Sequence, residues 1–69
     1  MHPNVERFVN GVRNPNSKQL ANVLRLVKGE YPEDFNEVVQ HFKNKGVEVP
    51  DELISCDGDK CWEDFLRHQ

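Results

Sequence analysis

The run NPNSKQLANVLRLVKG, Asn14 to Gly29, decides the fold class of this chain. Leu20, Val23, Leu24 and Val27 stand at i, i+3, i+4 and i+7, which lays four apolar side chains along one face of an α-helix. A half-buried strand would need alternation instead, and the run has none. Asn14-Pro15 reads as N-cap and first helical residue, and Gly29 as the stop.

The same spacing recurs on both sides. Val5, Phe8, Val9 and Val12 predict a helix before the run, and Phe35, Val38, Val39 and Phe42 predict one after it. Pro32, Glu33 and Asp34 suit the first turn of the third helix, where the positive dipole end favours acids. Lys43, Lys45 and Gly46 suit its close. Pro50 starts a short helical turn with Leu53 and Ile54, and a last helix runs from about Asp59 with Trp62, Phe65 and Leu66 on one face. Beyond the short VEV at 47–49 nothing alternates. The expectation is an all-α fold: one domain, residues 1–69, a small compact bundle of four to five short helices. Phe8, Leu24 and Phe42 are its expected core.

The net charge of −3 conceals a division. Residues 1–28 hold five basic side chains and one acid, whereas 29–69 hold eleven acids and four bases. The plain reading is that the halves face each other and soften each other's field; the functional one is a partner for one half. The start, MHPNVERFVNGV, lacks a basic segment followed by an apolar run, so no secretory signal is read there. No apolar stretch approaches the roughly 18 residues of a membrane span.

Chemistry gathers at SCDGDKCWED, Ser55 to Asp64. A calcium loop starting at Asp57 fails, because Cys61, Trp62 and His68 stand where an oxygen ligand, a glycine and a glutamate are required. Zinc would need Cys56 and Cys61 joined by two of His2, His41 and His68. Cys61 and His68, though, are about 10.5 Å apart along one regular helix. A disulfide would close a very short loop. Two cysteines make no disulfide framework, and the expectation is reduced thiols in a cytoplasmic protein. Asp57 or Asp59 is then read as the cap of the last helix, with Gly58 in the turn and the cysteines as small apolar side chains. No metal and no cofactor is assigned.

Neither cysteine has a histidine within helix-neighbour reach, and no phosphate-cradling or hydrolase motif occurs, so the chain is not read as an enzyme. His41 and Leu26 each sit about 110° off the centre of their stripes, which makes them boundary residues and candidate contacts. With Trp62 and Phe65 they form the candidate partner-binding set. Lys18, Asn22 and Arg25 fall on one face of the second helix at i, i+4 and i+7, and with Lys28 nearby they form the candidate anion or nucleic-acid set. Against nucleic acid stand the negative total charge and the acids opening the third helix. The leading expectation is therefore a small cytoplasmic protein-binding module: an adaptor, inhibitor or assembly factor. A nucleic-acid-associated regulator using the basic first and second helices is the alternative. So small a core also suggests a homodimer, with Leu26 or the Trp62 face as seam. No membrane partner is expected.

Overall fold

The computed structural model describes residues 1–68. Five α-helices and no strand occur among them: α1 (Pro3–Gly11), α2 (Ser17–Glu30), α3 (Phe35–Asn44), α4 (Asp51–Ile54) and α5 (Asp59–Arg67). A 3-10 turn, Pro32–Asp34, leads into α3. The all-α bundle is as the spacing requires. The radius of gyration, 11.0 Å, is the value expected of a compact chain of this length.

α2 is the hub. Leu20, Ala21, Val23, Leu24 and Val27 are all buried, and α3, the 3-10 turn and α5 pack against it. Its start lies two residues beyond the one Asn14-Pro15 suggests. Asn16 is the N-cap: its side chain accepts from the Gln19 amide at 2.8 Å, and the Asn16 amide donates to the Gln19 side chain at 3.1 Å. This reciprocal capping box satisfies two otherwise orphaned donors. Gly29 does not stop the helix, which runs on to Glu30 and closes when the Tyr31 amide donates to Val27.

α3 ends as its sequence predicts. Gly46 takes φ 86°, the Gly46 amide donates to the Lys43 carbonyl and the Val47 amide to that of Phe42, both at 3.0 Å. These two bonds are a Schellman close, which needs a residue free of a Cβ at the left-handed position. Val47 and Val49 then cross the core edge without pairing as a strand. Trp62 of α5 is 1% exposed, with its ring edge-on to Phe35 at 6.4 Å.

Three further expectations are corrected. Phe8 is 40% exposed, because Val5 and Val9 supply the inward line of α1 and Phe8 lies about 60° and 100° around the helix from them. Neither Asp57 nor Asp59 caps α5; the N-cap is Gly58 at φ 100°, with no side-chain bond to the helix start. Asp59 instead turns to Arg25, at 3.3 Å. Finally, Cys56 and Cys61 are not free thiols. They form a disulfide that ties the end of α4 to the first turn of α5. The loop it closes is worth about 2 kcal/mol in the chain-entropy model.

The core assignment makes unequal demands on three apolar residues. Leu24→Ala and Phe42→Ala, both at fully buried sites, are expected to cost about 2–5 kcal/mol each. Phe8→Ala, at the rim, should cost well under half of that. Urea titrations followed by far-UV circular dichroism measure all three, and a Phe8→Ala loss equal to that of Leu24→Ala would contradict the rim placement.

Candidate functional site

Among the described residues, Phe8 and Leu26 are the two large apolar side chains left exposed, at 40% and 48%. Both line one groove of about 210 Å³ between α1 and α2, whose floor includes Val5, Val27 and Tyr31. The sequence sets this up through a shared register. Each follows a buried valine by three residues and precedes another by one: Val5 and Val9 around Phe8, Val23 and Val27 around Leu26. That register puts a side chain at the edge of a buried face, where it is half covered and half wet. The two edges abut, so two rim residues become one apolar surface.

The remaining members of the partner-binding set do not join it. Trp62 is sealed in the core and offers no seam to a second copy, because its flat ring fills the space between Phe35 and the α2 stripe. Phe65 is half-buried and lines a separate depression beside the disulfide with Glu52, Ser55, Asp64 and His68. There His68 Nδ1–H donates to the Asp64 carbonyl at 2.7 Å. His41 is half-buried and edge-on to Phe42 at 5.5 Å, and its Nε2 is buried with no hydrogen-bond partner.

The basic quartet of α2 is divided too. Lys18 and Asn22 are exposed. Arg25 is paired with Asp59, and the Lys28 ammonium sits 4.4 Å over the Phe35 ring, a cation–π contact. Two of the four residues thus serve the fold, and the Arg25–Asp59 pair joins the basic half of the chain to the acidic half. Among the described residues no three His, Cys, Asp or Glu side chains converge as metal ligands.

A further polar cluster was not foreseen. Asp34 is 4% exposed, and its Oδ2 accepts from the His2 amide at 2.9 Å and from His2 Nδ1 at 2.7 Å. The imidazole lies against Tyr31, with ring centroids 4.6 Å apart, and its Nε2 is 3.6 Å from Glu33. The Met1 amino group is 3.1 Å from Glu37 and 3.8 Å from Asp34. The His2 amide and then the His2 ring hold the Asp34 carboxyl below its ordinary 3.8, against the opposing effect of burial. Both imidazole nitrogens face carboxylates, so the cluster clamps α1 to the turn before α3. His2 and Asp34 are 32 residues apart, and nothing in the sequence joins them.

No protein-family model matches the chain, and no curated protein or solved structure shows significant similarity to it.

The clamp has a definite pH signature. A carboxyl whose folded value is depressed adds stability above its unfolded value, and that stability is lost as pH falls through the folded one. Asp34→Asn should therefore melt below the parent at pH 7, and the gap should close as pH falls from about 5 toward 2. Thermal melts across that range measure it, and a gap that widened in acid would exclude the clamp.

Proposed function

We propose that this chain is a protein-binding module, an adaptor, inhibitor or assembly factor, that docks its partner on the Phe8–Leu26 groove of α1 and α2. One observation carries the reading: the two exposed large apolar side chains come from different helices and line the same groove. Scattered apolar residues on a surface are ordinary, whereas adjoining ones mark contact sites. The reading is of binding and not of catalysis, since both thiols are bonded to each other and the His2–Asp34 pair holds α1. The nucleic-acid alternative loses support because Arg25 pairs with Asp59 at the surface and Lys28 lies over the Phe35 ring.

A tagged parent chain is expected to recover a defined polypeptide from nuclease-treated lysate of its natural source, in moderate salt. The double variant Phe8→Ser, Leu26→Ser should keep its helical spectrum and lose that capture, with each side chain worth on the order of tenfold in affinity. Undiminished capture by the variant would refute the groove. Capture that requires nucleic acid and vanishes with salt would favour the alternative.

The cytoplasmic placement rested on reduced thiols, and the Cys56–Cys61 bond counts against it. Bonds of this kind persist in oxidising surroundings. We place the working protein in a compartment that keeps the bond closed. Alkylation of the protein in freshly opened cells, followed by intact mass, should then show no added label. Two labels per chain would return it to a reducing compartment. No helix is long and apolar enough to cross a membrane among the described residues.

A further inference from the structure

We infer that the occupant of the Phe8–Leu26 groove is an amphipathic α-helix of another protein whose apolar stripe is flanked by acidic side chains. This rests on the docking function proposed above and adds the chemistry of the partner. The apolar surface is a strip and not a point. A depression holding Gly11, Arg13 and Asn22 shares Phe8 with the groove. Another, holding Arg25 and Gly29, shares Leu26 and Asn22. A strip along two helices suits the helix-in-groove mode, in which anchors one turn apart enter successive sites.

Charge names the flanks. Arg13 lines the depression beside Phe8, Arg7 lies about 100° around α1 from Phe8, and Lys18 stands one turn before Asn22. All three are exposed, and none takes part in an ion pair among the described residues. The acids nearby are fewer. Glu6 falls on the far side of α1, about 160° from Phe8 by the helical step. Asp59 is held by Arg25. That leaves Glu30 in the groove, against Arg13 in the adjoining depression and Arg7 and Lys18 on the exposed faces beside it. A partner bringing acids to Arg7, Arg13 and Lys18 gains complementarity that speeds encounter and sets orientation.

A second copy of the chain fits this surface poorly. It would present the same three cations with only Glu30 to meet them, and the acid-bearing α3 and α5 have turned their apolar faces into the core. Backbone chemistry supports a helix as the occupant. Gly11 and Gly29 follow Phe8 and Leu26 by three residues each, and a Cβ at either would meet nothing within 4 Å. Glycine inside α2 lowers helix stability relative to alanine. Nothing within the molecule requires it at Gly29, whereas a helix lying close over α2 would.

The test uses the full chain and defined peptides of about 18 residues, five helical turns. One carries a leucine stripe flanked by glutamates, a second has lysine for every glutamate, and a third is the acidic peptide broken by a central proline. Heteronuclear NMR titration is expected to show the acidic peptide shifting the amides of Phe8, Gly11, Leu26 and Gly29. It should bind at least about tenfold tighter than the lysine peptide, and the broken peptide should bind weakly or not at all. The triple variant Arg7→Glu, Arg13→Glu, Lys18→Glu should reverse the preference between the two intact peptides. Equal binding of both would leave an apolar docking groove standing but overturn the acidic partner. Binding of none of them at the groove would overturn both readings, and so would concentration-dependent shifts of the same amides without peptide, which identify a second copy as the occupant. Gly29→Ala should raise the melting temperature while weakening the acidic peptide, and unchanged affinity would overturn the seating of the helix over α2.

Discussion

Everything in this fold hangs on the inward face of α2. Its five buried side chains meet α3, the 3-10 turn and α5 at once, and Ala21 and Leu24 within it are sealed from solvent. A helix of 14 residues is near the length at which isolated helices become marginal in water, so burial of this stripe, more than propensity, keeps it helical. The Asn16–Gln19 capping box fixes where it begins. Once that face is committed, Leu26 has nowhere to go but the edge. The exposed groove is a consequence of how the hub is satisfied.

The periphery is held by two staples of different chemistry. α1 has nine residues and only Val5 and Val9 in the core, too little to anchor itself by packing alone. Asp34 supplies the rest by accepting both the His2 amide and the His2 ring. At the other end α4 is a single turn and α5 begins at an uncapped glycine; the Cys56–Cys61 bond joins them. A small domain compensates for a small core with such local cross-links. Between the staples, Arg25–Asp59 and Lys28 over Phe35 bring the basic first half of the chain against the acidic second half.

That division of labour bears on function. Arg25 and Lys28 have partners within the molecule, whereas Arg7, Arg13 and Lys18 are exposed and take part in no ion pair among the described residues. The surface that remains is apolar at Phe8 and Leu26 and polar in the depressions on either side, with Arg13 in one of them. The acidic helix proposed as its occupant asks for less positive charge than the phosphate backbone of a nucleic acid, which is matched by a denser basic footprint.

Helix positions were legible in the sequence because the 3.6-residue repeat is a local property. Leu20, Val23, Leu24 and Val27 must share a face whatever packs against them, and Gly46 must close α3 because few other residues take its backbone angles. Leu26 and His41 could be placed at the margins of their stripes for the same reason. The Asn16–Gln19 box was legible as well, but the adjacent Asn14-Pro15 offered a competing start. What periodicity does not contain is which side of a stripe a neighbour covers. Phe8 looked like core and became rim, while Trp62, an apparent anchor, became core; both outcomes depend on how five short helices share one interior. His2 with Asp34 and Arg25 with Asp59 belong to the same category, since partners 32 and 34 residues apart meet only after the chain has packed. The disulfide lies between the two. Its spacing permits the bond, but only the approach of α4 to α5 brings Cys56 and Cys61 together, leaving the start of α5 to a covalent tie where the sequence had offered a carboxylate cap.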